Sequence, residues 1–178
     1  LEQAQLDPPH LGAGTALHLR RQGGRQAAQL LDECGCDVLF HINSPTNPLI
    51  PAYGRITGFQ DYCREHGLRH ELLLRDVDRS HESDLAILRD LVDTLETEYK
   101  GQKKGIFLSN DTLASALVNL LFLKYGRLPD DYRIVGFDNS PESREAIIPI
   151  STVGQQVEQL AQEAVALVVD QINARKEG

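Results

Sequence analysis

Short apolar runs that close on polar, turn-forming residues recur along this chain, and the segments between them carry apolar residues at three- and four-residue spacing. The runs are DVLFHI (37–42), RHELLL (69–74), GIFLS (105–109), YRIVGF (132–137) and a very short STV (151–153). Runs of this length, largely apolar and mostly followed by Asn, Asp or Gly, read as buried strands. The intervening segments 23–34, 52–66, 83–99, 112–125 and 155–174 read as amphipathic helices, with Gly35, Gly67 and Gly126 standing where helices stop. The first 16 residues are weakly patterned and carry Pro and Gly, so they are expected as loop. Strands that alternate with helices of this length build βαβ units, hence an α/β chain whose mainly parallel sheet is covered on both faces.

Composition agrees with a packed domain and narrows its partners. The 178 residues are 41% hydrophobic and 25% charged, far from the low-apolar regime of disordered chains. Lys and Arg number 18 against 26 Asp and Glu, a net charge of −8 that offers no footprint for phosphate backbones or anionic lipid. No apolar run approaches the roughly 20 residues of a membrane helix, and the opening LEQAQLDPPH lacks the pattern of a signal peptide. A cytoplasmic chain without membrane contact is therefore expected, one that begins inside a larger gene product, since it has no methionine. The three cysteines, Cys34, Cys36 and Cys63, are odd in number and lack a second ligand pair, which argues against both a disulfide framework and a metal site. No cofactor is expected either.

In open parallel sheets ligands bind beyond the carboxyl ends of the strands. The residues there are Asn43, Ser44, Asn110, Asp111, Asp138, Asn139, Gln155 and Gln156. Amide and carboxylate groups of this kind match the mixed donor and acceptor character of a polyol, although each residue type is also an ordinary turn or N-cap residue. Asp111 is expected to cap the helix that follows it. No GxGxxG, P-loop or GxSxG occurs, and His41, inside a strand run, reads as a core histidine rather than a catalytic base.

The stretch FLSNDTLASALVNLLFLKYGRLPDDYRIVGFDNSP (107–141) followed by PISTVGQQVEQLAQEAVALVVDQI (149–172) resembles the effector-binding domain of lactose-repressor-type (LacI/GalR) transcriptional regulators. The shared pattern is an Asn-Asp pair after a strand, a helix, a GxxPDD turn, a VGFD strand end, and STVxQ opening the last helix. Upstream, GRITGFQDYCREHGL (54–68) and QGGRQAAQLL resemble the family's two preceding helices, so the likeness spans about residues 20–174. Leu19 and Arg20 stand where the family usually has Asp and Asn. Arg20 and Arg21 read as solvated surface residues, with recognition of an acidic or phosphorylated effector as the alternative.

The resemblance implies a fold like periplasmic sugar-binding proteins: two α/β lobes joined by crossover strands, with an effector clamped between them. It assigns Arg55, Asn110, Asp138 and Gln155 to the effector cleft. One lobe is expected largely complete and the other in part: residues 1–45 and 155–178 in the first lobe, 46–154 in the second, with the DNA-binding headpiece absent from this chain. The expected function is sensing a sugar or sugar derivative, without catalysis, for a regulator that meets operator DNA through another segment. The alternatives are an extracytoplasmic sugar-binding protein or an enzyme on a similar sheet. The helix from Thr112 to Tyr125 is apolar nearly all round, more than one sheet face requires, so a homodimer through this helix is expected.

Overall fold

In a computed structural model, residues 11–44, 53–75 and 80–154, with 165, 166, 169 and 172, are described. Along the chain these form α1 (Leu11–Glu33), β1 (Val38–Asn43), α2 (Tyr53–Glu65), β2 (His70–Leu74), α3 (His81–Glu98), β3 (Lys104–Leu108), α4 (Asp111–Tyr125), β4 (Tyr132–Phe137), α5 (Pro141–Glu145) and β5 (Ser151–Val153). The five strands make one all-parallel sheet in the order β2-β1-β3-β4-β5. The expected α/β class and parallel sheet are present.

This order dictates where the helices lie. The step from β1 to β2 runs one way across the sheet and the steps to β3 and β4 run the other way, so right-handed crossovers send their helices to opposite faces. The core divides accordingly. Val38, Phe40 and Ile42 of β1 join Ile106 and Leu108 of β3 and Ile134 of β4 under Leu88, Leu91 and Leu95 of α3 and Leu113, Leu117 and Leu121 of α4. The alternate residues Leu39, Phe107, Val135 and Phe137 meet Ala27, Ala28 and Leu31 of α1 and Phe59 and Cys63 of α2. Both faces are buried, so the central strands are apolar at nearly every position.

Three differences from the sequence reading appear. α1 begins at Leu11 rather than at Gly23. Its first turns lack a strong apolar stripe and are supported instead by α2: a Cβ on Gly54 would stand 2.5 Å from the Leu17 carbonyl oxygen, a backbone-to-backbone approach that leaves no pattern in the α1 sequence itself. β1, assigned above to the other lobe, pairs with both β2 and β3 in the middle of this sheet, so α1 and β1 share one core with residues 53–153. Helix 155–174 lies largely outside the described residues. Of its expected buried stripe only Ile172 is described, and it is helical and 48% exposed; Val165 and Val169, outside that stripe, are 64% and 48% exposed.

The three thiols form no disulfide, and burial holds two of them protonated: Cys36 is pushed up to about 11 and Cys63 to about 12, with the charges around them as smaller causes. Among the described residues no helix is long and apolar enough to cross a membrane.

Candidate functional site

Two close helices set the site. A Cβ on Gly58 would stand 1.9 Å from the Arg21 carbonyl oxygen, and one on Gly24 would stand 2.2 Å from that of Arg55. The backbones of α1 and α2 therefore touch where only glycine fits. Two ion pairs flank this contact: both Arg21 Nε and Nη2 donate to Asp61, the latter at 2.7 Å, and Arg25 donates to both carboxylate oxygens of Glu65 at 2.9 and 2.5 Å. Arg21 is thus an interhelix tether. The first turns of α2 are thereby seated on the sheet.

From there Arg55 reaches across the carboxyl ends of two strands. Its Nη1 donates to the carbonyl of Ser109, just past β3, and its guanidinium carbon lies 4.8 Å from the ring centroid of Phe137, the last residue of β4. A cation over an aromatic face is held electrostatically, so the fork has a defined plane. Next to Ser109 is Asn110, and after Phe137 comes Asp138. Three of the four expected effector residues thus gather at the ends of β3 and β4. Gln155 lies outside the described residues, one position beyond Gly154.

The capping roles at this edge are reversed from expectation. Asn110, with extended backbone (φ −155°, ψ 171°), caps α4: its Oδ1 accepts from the Leu113 N–H at 2.8 Å. Asp111 is already helical, so its side chain points away from the cap position and is buried, at 1% exposure. It accepts from the Ser140 N–H at 2.7 Å and from the Thr152 hydroxyl at 2.5 Å. A Cβ on Gly136 would stand 2.2 Å from Asp111 Oδ1, so the glycine of the VGFD strand end is what admits this carboxylate. Asn and Asp cap equally well, and where the strand stops decided between them.

The residues that follow β4 turn sharply. Asp138 has φ 104° and Asn139 φ 53°, in the region that disfavours side chains other than glycine. The Asp138 N–H donates to Val153 at 2.9 Å and the Asn139 N–H to the Thr152 hydroxyl at 3.2 Å.

His41 is fully buried and stacks on Phe107, ring centroids 4.3 Å apart. The Phe107 carbonyl 3.0 Å from Nδ1 can only accept, which assigns the proton to Nδ1 and leaves Nε2 to accept from Asn43 Nδ2 at 3.3 Å. Burial, with Arg55 nearby as a smaller cause, lowers its pKa to about 3, while the bond to Phe107 opposes the shift. It is a neutral core histidine, as its strand position indicated. Asn43, 2% exposed, spends its Oδ1 on the Ser44 N–H at 2.9 Å and so shapes the loop after β1.

Sequence reasoning passed over Phe137, Thr152 and Ser109. Ser109 is 2% exposed and its hydroxyl finds no hydrogen-bond partner among the described residues, beside the carbonyl that Arg55 holds. The one available signal was the polar SND ending an otherwise apolar strand.

A family model for the periplasmic binding protein-like domain matches residues 16–178. The HTH-type transcriptional regulator CelR of Thermobifida fusca is 28% identical over 151 residues, covering 84% of this chain and 43% of that protein. The ribose operon repressor of Halalkalibacterium halodurans is 29% identical over 157 residues, covering 87% and 44%. A solved CelR–cellobiose complex superposes with a TM-score of 0.71 at 26% identity, over 88% of this chain and 46% of that one. The chain spans less than half the length of these curated relatives. With the family match and the parallel sheet in agreement, the chain belongs to the periplasmic binding protein-like domain family, and the relatives it is similar to are transcriptional regulators.

Proposed function

We propose that this chain is the larger part of an effector-sensing domain, binding a sugar or sugar derivative at the carboxyl edge of the sheet for a cytoplasmic transcriptional regulator. On this reading residues 155–178 are assigned to the other lobe, and operator DNA is met by a segment outside this chain. The observation that carries the reading is the convergence of Arg55, Asn110 and Asp138 on the ends of β3 and β4. A guanidinium, an amide and a carboxylate at one edge combine donors with acceptors, as a polyol requires. Relatives whose names refer to cellobiose and ribose support the sugar class. Coupling to DNA requires the effector to bind one lobe arrangement better than the other, and the domain itself performs no catalysis.

A panel of sugars and nucleosides tests this by thermal shift on the regulator with both lobes present. At least one member is expected to raise the melting temperature by mass action. Asp138→Ala is expected to remove most of that shift, a loss of about 1–3 kcal/mol from leaving effector donors unpaired. No shift with any member would end the sugar reading.

The same proposal includes a homodimer through α4. Leu113, Ala114, Leu117, Val118 and Leu121 are used up in the core, and Ala116 and Leu120 pack partly against it. Leu123 is left 83% exposed, with Tyr125 at 37% and Ile147, in the segment after α5, at 63%. Apolar side chains this open on a small domain suit a subunit contact, and a two-fold pair suits a palindromic operator. Leu123→Asp is expected to convert the dimer to monomer at micromolar concentration in sedimentation, because it strands a charge in the contact. A dimer that tolerates it, or a wild-type monomer, would refute this interface.

A further inference from the structure

We infer that Asp111 is a positioning residue: its buried carboxylate holds the turn that presents Asp138 and ties that turn to the strand leading into the crossover, a role that rests on the effector reading above. Four observations meet in it. Asp138 and Asn139 are both held at positive φ, 104° and 53°, a backbone conformation that side chains rarely adopt and that persists only where neighbours over-determine it. Among the described residues the neighbours are specific. The Asn139 N–H donates to Thr152 Oγ1, so the Thr152 hydroxyl proton is directed onward to Asp111 Oδ1, and Asp111 Oδ2 takes the Ser140 N–H. The Asp138 N–H closes the same turn on the Val153 carbonyl.

One carboxylate thus joins three elements: the start of α4, the turn after β4, and β5. It sits in the first turn of α4, where the positive end of the helix dipole favours negative charge. The fit is tight, since Gly136 leaves the carboxylate just enough room and any side chain there would expel it. Among the described residues β5 is an edge strand of three residues whose backbone ladder pairs with β4 alone, so the side-chain bond from Thr152 to Asp111 is a large share of what fixes it. A displacement of Asp138 by a bound effector would therefore pass through Asp111 and Thr152 to the chain entering the crossover, and equally in reverse.

Residue-resolved amide hydrogen exchange on the intact chain tests this without an effector. In Asp111→Asn the side chain can no longer accept from both Thr152 and Ser140, and the Asn139 and Ser140 amides are expected to exchange about tenfold faster, the loss of roughly one hydrogen bond, while β1 and β3 amides stay protected. Thr152→Val is expected to release Asn139 alike, and Thr152→Ser, which keeps the hydroxyl, to restore it. Leu95→Ala, in the opposite core, is the control: it lowers overall stability and is expected to leave residues 138–140 unchanged. Unchanged exchange at 139 and 140 in Asp111→Asn, or equal opening of them by Leu95→Ala, overturns the inference. If Asp111→Asn does not fold, the Thr152→Val and Thr152→Ser pair decides it by the same criterion. A sugar panel without a thermal shift would remove the effector reading and leave this result standing, so the two fail separately.

Discussion

Gly58→Ala is expected to destabilise the domain by about 3 kcal/mol or more, near the upper end for overpacking. The new methyl group would meet the Arg21 carbonyl oxygen at 1.9 Å, the carbonyl carbon at 2.7 Å and the Cα at 3.0 Å. All three are backbone atoms of a helix, so no side-chain rotation relieves the contact and α1 must move off α2. Moving α1 also breaks the register of the Arg21–Asp61 and Arg25–Glu65 pairs and unseats the turn that carries Arg55. Gly35→Ala is the comparison: its φ of 68° strains a side chain, but nothing lies within 4 Å, so about 1–2 kcal/mol is expected. Urea denaturation at constant m separates the two. A Gly58→Ala midpoint no lower than that of Gly35→Ala would contradict the close helix contact.

Acid is expected to unfold the domain partly through His41. Its imidazole stays neutral in the folded state down to about pH 3, whereas in the unfolded chain it takes up a proton near its ordinary value of 6.5. Between these values the unfolded state binds more protons. Stability is therefore fully present above pH 6.5 and falls as pH drops towards 3, with a slope approaching about 1.4 kcal/mol per pH unit from this one group. Glu65 and Glu142, whose pKa values are lowered by the Arg25 and Ser140 hydrogen bonds respectively, add acid sensitivity of the same sign. They are common to wild type and variant, so the difference between wild type and His41→Gln isolates the histidine. That variant is expected to lose stability at neutral pH, where it gives up the stacking on Phe107, and to show a flatter profile between pH 6 and 4. Parallel profiles would mean that His41 is protonated in the folded state.

The parallel sheet was legible before any coordinates because its evidence is local. Each central strand is buried on both faces, so it is apolar at nearly every position, and each run ends where a turn residue stops it. The boundaries of β4 and β5 are the ones expected from YRIVGF and STV. Helices α2, α3 and α4 announced themselves by spacing, and α2 and α4 also by Gly67 and Gly126 just past their ends. Arg55, Asn110 and Asp138 were expected at the effector site from the motifs around them, and the structure brings these three to one edge; Gln155 falls outside the described residues.

What the chain determined by itself is the alternation of strand and helix, the apolar stripes, and the polar strand ends from which a binding edge is built. Those are consequences of periodicity and of local hydrogen bonding, which act within a few residues. The tertiary structure alone decided the rest. α1 runs through Leu17–Arg21 with the backbone of α2 lying against it there, a contact that residues 11–22 do not announce as an amphipathic stripe. β1 sits in the centre of this sheet because pairing partners are chosen by packing across tens of residues. Asn110 rather than Asp111 caps α4 because β3 ends at Leu108 and Gly136, on another strand, opens the space into which Asp111 turns. Side chains of equal local propensity are separated only by what surrounds them, and those surroundings come from distant parts of the chain.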